Sequence, residues 1–208
     1  MSKARINQWL LHPVAKPVVW VLALLPAAWL LAGAITDNLG ANPAEALIRS
    51  TGDWALRGLC IALAVTPVRQ LMGWSALARF RRLLGLFAFF YVVLHVLSYF
   101  ALDIGWSIQA MWSDVLQRPF ILVGALASVI LLALAVTSPK AILRAMGGRN
   151  WQRLHRCVYV AAWLALLHFY WMRDAKNNVV EVWIYVAVIA ALQGWRLFHY
   201  VRNKHSSS

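Results

Sequence analysis

RRLLGLFAFFYVVLHVLSYF, residues 81–100, opens on two arginines and continues for 18 residues whose only ionisable groups are His95, Tyr91 and Tyr99. That is close to the length a helix needs to cross hydrocarbon at about 1.5 Å per residue. A histidine inside such a run is costly in a bilayer and usually has a partner or a task. The pattern recurs in WLALLH, residues 163–168, which ends on His168, and His155 lies 13 residues earlier on what hydropathy predicts to be one helix. One histidine in an apolar run reads most simply as a hydrogen-bonded core residue. Three in such runs, two of them at a shared depth, read as a ligand set.

Working outward, the 208 residues are 62% hydrophobic and only 13% charged, with a mean hydropathy of +0.64. Soluble domains carry roughly twice that charge, so the composition predicts a polytopic membrane protein. Six helices are expected, at 17–36, 52–67, 83–102, 119–137, 151–172 and 179–199. Pro26 should kink the first, and Asp53 and Arg57 weaken the second. The first 16 residues contain no small-residue cleavage site, so the first apolar segment is expected to stay as a helix. No loop is long enough for a separate domain, and residues 1–208 read as one all-α transmembrane bundle.

The net charge of +13 does not imply nucleic acid, because 15 of the 20 basic residues fall on one side of this plan. They lie before the first helix, in the second and fourth loops, and in the C-terminal tail. All seven acidic residues, Asp37, Glu45, Asp53, Asp103, Asp114, Asp174 and Glu181, fall on the other, with Arg49, Arg57, Arg118, Arg173 and Lys176. The positive-inside rule then puts both termini in the cytoplasm, with the basic face against anionic lipid. Trp9, Trp54, Trp74, Trp106, Trp112, Trp151 and Trp171 sit near span ends as an interfacial belt. Cys60 and Cys157 lie in apolar stretches and read as buried hydrophobes rather than a disulfide. C-x-x-C-H, Walker and G-x-G-x-x-G signatures are absent, which argues against c-type haem, nucleotide and dinucleotide binding.

On this topology the third and fifth helices both run outward. His95 lies about 18 Å beyond Leu83, and His168 a few residues before the outer end of its helix, so the two share a depth. That is what bis-imidazole ligation of one haem iron requires. His155 would lie about 20 Å lower and roughly 140° around an ideal continuous helix. Counting 13 back from His95 reaches Arg82, so a lower site lacks an equivalent partner. His199, at the inner end of the sixth helix, is a candidate for that place; His12 and His205 read as solvated. Haem propionates need cations. Arg57 suits the upper site, although it also falls one turn from Asp53, and Arg81, Arg82, Arg153 and Arg156 suit the lower one or a phosphate.

Four stretches carry a resemblance: LAVTPVR at 63–69, residues 81–99, RP at 118–119, and LAVTSPKAILRAMGGRNWQRLHRCVYVAAWLALLHFYW at 134–171. They resemble the ferric-reductase-like transmembrane superfamily, which includes NADPH oxidases, and within it the MsrQ (YedZ) family of the MsrPQ methionine sulfoxide reductase system. The resemblance implies one or two haems b on His95, His168 and His155, an FMN, and a multi-pass protein of the bacterial inner membrane. It implies electrons taken from quinol and passed to a periplasmic molybdopterin enzyme that reduces protein methionine sulfoxide. NADPH oxidases carry a FAD and NADPH domain after the last helix, and this sequence has none. The donor is therefore expected to be quinol or a separate cytosolic flavin reductase, and the chain an electron-transfer subunit with no catalytic residues of its own. The competing expectations are a self-contained transmembrane metal reductase and a transporter with a histidine proton relay.

Overall fold

The computed structural model describes residues 2–174 and 179–205, with backbone only for 203–205. Lys176, the side chains of Lys204 and His205, and the three terminal serines lie outside the described residues. Among the described residues every regular element is a helix. The chain divides into two compact units, Met1–Asp114 and Val115–Ser208.

The first unit begins with a short helix, α1 (Lys3–Leu11), capped by Ser2 Oγ, which accepts from the Arg5 amide at 3.4 Å. α2 (Ala15–Ile35) follows, then α3 (Pro43–Met72), a 3₁₀ segment (Ser75–Phe80) and α4 (Arg81–Ser98). α3 starts nine residues before the expected 52, because Asn42 caps it: its Oδ1 accepts from the Glu45 amide at 3.1 Å, and Pro43 stands at the first helical position. Hydropathy alone stopped at Asp53, so the polar first turns were missed. α3 and α4 pack along one another, burying Leu56, Leu59, Leu63, Phe87, Ala88 and Tyr91. At Gly58 a Cβ would lie 3.1 Å from Ala88 Cα, the small-residue contact that lets membrane helices approach.

Pro26 lies inside α2, which runs from Ala15 to Ile35 as one helix. The Tyr91 hydroxyl enters the helix there, donating to Ala23 O at 2.7 Å and accepting from the Ala27 amide at 3.2 Å. It therefore bridges an amide and a carbonyl four residues apart, the pair an unbroken α-helix joins directly. α4 widens into a π turn (Tyr99–Asp103), with the Ile104 amide reaching Tyr99 O at 3.2 Å. The Tyr99 hydroxyl donates to Asp114 Oδ2 at 2.7 Å, on α5 (Ile108–Gln117).

The second unit contains α6 (Pro119–Val136), α7 (Lys140–Met146), α8 (Gly148–His155), α9 (Val158–Asp174) and α10 (Val180–His205). One expectation is overturned here. Residues 151–172 are not one helix: the chain turns at Arg156 and Cys157, so His155 ends the amphipathic α8 and His168 belongs to α9. The depth offset and wheel angle drawn for a continuous helix do not apply to this pair. The polar sequence GRNWQRLH explains the break, because only from Val158 does the chain become apolar enough to bury. α9 packs on α6 and α10. Trp163 Nε1 donates to Gln193 Oε1 at 3.1 Å, Gln193 Nε2 donates to Tyr159 O at 3.3 Å, and Arg196 hydrogen-bonds the Tyr159 hydroxyl.

Five helical stretches are long and apolar enough to cross a membrane: Ala15–Ile35, Pro43–Met72, Ser75–Asp103, Pro119–Val136 and Val180–Arg202. α9, at 17 residues, sits at the short end of the spanning range. Cys60 is a buried free thiol, as expected, whereas Cys157, also a free thiol, is only half-buried because it lies in the turn between α8 and α9.

Candidate functional site

His95 and His168 are seated alike, each within its own unit. His95 Nδ1 lies 2.8 Å from Ile48 O on α3, and His168 Nδ1 lies 2.7 Å from Phe120 O on α6. A carbonyl oxygen can only accept, so the ring nitrogen donates in both. This puts a proton on Nδ1 and, in the neutral ring, leaves Nε2 as the ligating nitrogen, the arrangement in which a metal-binding histidine is held by its other nitrogen.

What permits the contact is a glycine one turn after each carbonyl. A Cβ on Gly52 would lie 3.1 Å from the His95 ring, and one on Gly124 would lie 2.8 Å from His168 Nδ1. Ile48 and Gly52, like Phe120 and Gly124, are four apart and share a helix face. The bare face lets the imidazole reach the carbonyl's second lone pair. Glycine inside a helix costs about 1 kcal/mol against alanine, and each here has a packing reason. Sequence reading passed over both, although a helical glycine is the available signal for close approach.

His155 and His199 form a second matched pair, both in the second unit. His155 stacks on Trp151 with ring centroids 3.7 Å apart, and His199 lies on Trp195 at 4.1 Å. Each Nδ1 is 3.1 Å from the carbonyl of that tryptophan, one turn back. A W-x-x-x-H spacing thus occurs twice, at 151–155 and 195–199. The tryptophan assigned to the interfacial belt at 151 also props a histidine, and its Nε1 donates to Thr137 O at 2.8 Å. Gln193 and Arg196 bond Tyr159 near the start of α9, so His199 lies about one turn beyond that level, toward the end where the chain leaves α8.

The arginines separate. Arg57 lies over the Trp54 ring at 5.0 Å and lines a cavity of about 450 Å³ with Leu25, Pro26, Trp29, Ser50 and Asp53. On α3 that face is roughly 140–180° from Ile48 and Gly52, so Arg57 points away from the surface that seats His95. Arg81 and Arg82 open α4 in the first unit, and Arg82 lines a different cavity with Lys16 and Arg79. Arg153 and Arg156 are exposed around the end of α8 in the second unit.

A family model described as "Ferric reductase like transmembrane component" matches residues 51–167, taking in His95 and His155 and stopping one residue before His168. The fold and match define the chain as a ferric-reductase-like integral membrane protein. It is 56% identical over 194 residues to the protein-methionine-sulfoxide reductase heme-binding subunit MsrQ of Polaromonas naphthalenivorans, covering 93% of this chain and 89% of the relative. The MsrQ of Ralstonia nicotianae is 48% identical, with 86% and 83% covered, and that of Bordetella pertussis 47%, with 91% of each covered. The chain belongs to the MsrQ family. No solved structure matches it.

Proposed function

We propose that this chain is a membrane b-type cytochrome of the bacterial inner membrane. It would carry electrons from the quinone pool, or from a cytosolic flavin reductase, to a periplasmic molybdopterin enzyme that reduces methionine sulfoxide in proteins. The observation that carries this reading is the pair of matched imidazole seats: His95 on Ile48 O with Gly52, and His168 on Phe120 O with Gly124. A proton relay needs imidazoles that exchange protons and reorient. Each of these two rings has its Nδ1 held on a main-chain carbonyl, which suits ligation.

Each seat by itself suits an imidazole ligand of a haem iron. His95 and His168 would serve as the axial pair of the upper site, and His155 as a ligand of a lower one, with His199 as its second. Haem, when bound, supplies a one-electron carrier whose potential follows axial ligation and burial. The protein's part is to fix both imidazoles, keep the Nδ1 protons on carbonyls, and wrap the ligands in apolar side chains. Arg81, Arg82, Arg153 and Arg156 are the candidate partners for haem propionates or a phosphate. Arg57 faces another cavity and is the weakest of these assignments. FMN is the further cofactor the family suggests.

The test is a reduced-minus-oxidised spectrum with a pyridine haemochrome assay on the purified protein. His95→Ala and His168→Ala should each remove the same spectral component. A folded wild-type protein without haem would falsify the cytochrome reading, and two variants that lose different components would overturn the pairing.

A further inference from the structure

The first unit contains a cavity of about 230 Å³ lined by Lys16, Trp20, Arg79, Arg82, Leu83 and Leu86. We propose that it binds the phosphate of an amphiphilic phosphate ester, with Lys16, Arg79 and Arg82 on the phosphate and Trp20, Leu83 and Leu86 against the apolar part. Three cations from three elements converge there: Lys16 in the first turn of α2, Arg79 in the 3₁₀ segment, and Arg82 in the first turn of α4. No carboxylate lines the cavity. The unit's acidic residues lie elsewhere along the chain, at 37, 45, 53, 103 and 114.

Gathering three like charges is unfavourable without an anion between them, and two of the lining groups are already held. Arg79 Nη1 donates to Leu10 O at 2.9 Å, which fixes the guanidinium and ties α1 to the cavity. The Trp20 indole is set edge-on against Phe87 with centroids 4.8 Å apart. Charge gathers at the ends of α2 and α4, and the apolar wall lies deeper along both helices. A ligand with a phosphate at the membrane surface and an apolar portion reaching inward matches that order.

Two sources offer this chemistry, a flavin mononucleotide and an anionic phospholipid. Only the flavin arm touches the cofactors proposed above. The cavity itself does not depend on the haem reading, and haem content reports on that reading separately. The full chain is placed in nanodiscs of zwitterionic lipid. Flavin mononucleotide and riboflavin are titrated by fluorescence, and retained phosphatidylglycerol is measured by native mass spectrometry after addition to the discs. Either flavin mononucleotide binding that riboflavin does not reproduce, or phosphatidylglycerol retention, supports the site and identifies its source. Lys16→Gln and Arg79→Gln should each weaken that binding by about tenfold or more, Lys16→Glu further, and Lys16→Arg little, at unchanged haem-to-protein ratio. The proposal is overturned if riboflavin binds as well as its phosphate and no phosphatidylglycerol is retained, if neither probe binds, or if the glutamine variants bind like wild type.

Discussion

Gly124 leaves 2.8 Å between the place of a Cβ and His168 Nδ1, and Gly52 leaves 3.1 Å to His95. Neither ring yields easily, because each is hydrogen-bonded to the same helix that carries the glycine. An added methyl must push the imidazole off its carbonyl or spread two packed helices, at about 1–3 kcal/mol. Gly124→Ala is therefore expected to lower haem content several-fold, and Gly52→Ala less, as read by haem-to-protein ratio. Alanine variants with wild-type haem content and spectra at both positions would show that the seats do not position ligands. The histidines were legible in sequence because an ionisable group in an apolar run stands out. The seats were not, because their acceptors are main-chain carbonyls that no side chain announces.

Two joints decide what the helices do. In α2 the Tyr91 hydroxyl spans the gap that Pro26 opens between Ala23 and Ala27. Tyr91→Phe leaves that amide and carbonyl without the bridge and should cost about 1–3 kcal/mol. In a Pro26→Ala background the straightened helix closes its own bond, so the same change should cost clearly less. Thermal unfolding of the four variants in one detergent measures the coupling, and strictly additive effects would dismiss the bridge. The second joint separates His155 from His168. With His155 at the end of α8, His155→Ala is expected to leave the His95–His168 spectrum intact and to stop reduction by quinol or a flavin reductase. Unchanged haem content with an unchanged reduction rate would take His155 out of the electron path. Pro26 was readable from its residue type alone as the place where α2 loses a main-chain bond. The break at Arg156 and Cys157 was hidden because no proline or glycine marks it, and a polar turn leading into an apolar run reads equally well as the first turns of one helix.

For the whole molecule, the charge distribution predicts that both termini and the loops after α3 and α6 face the cytoplasm. With Cys60 and Cys157 replaced, single cysteines at Asp37 and Asp103 should label from outside intact cells. One at Arg144 should label only after permeabilisation, and the reverse pattern would invert the topology. Some of the acidic residues that the charge distribution places outside are engaged within their own unit: Glu45 pairs with Arg49 at 2.8 Å, Glu181 pairs with Arg173 at 3.0 Å, and Asp114 accepts from the Tyr99 hydroxyl. Docking of a soluble partner by charge then rests mainly on Asp37, Asp103 and Asp174. Electron delivery to that partner should fall as salt rises, with Asp37→Asn and Asp103→Asn flattening the dependence. A rate equally flat for wild type and variants speaks against electrostatic docking.

Composition, the spacing of apolar runs and the side on which arginines collect were sufficient for an all-helical membrane protein and for three histidines worth testing. These are one-dimensional properties, since a helix long enough to cross hydrocarbon is recognised from its own residues. Tertiary structure alone decided that α3 begins at Pro43, that His155 and His168 stand on separate helices, and that Arg57 turns away from His95. It alone brought Lys16, Arg79 and Arg82 to one cavity and set an imidazole on a carbonyl 47 or 48 residues away in sequence. Those outcomes depend on which faces of neighbouring helices meet, and a bare glycine facing an imidazole is a relation between two helices that neither segment contains by itself.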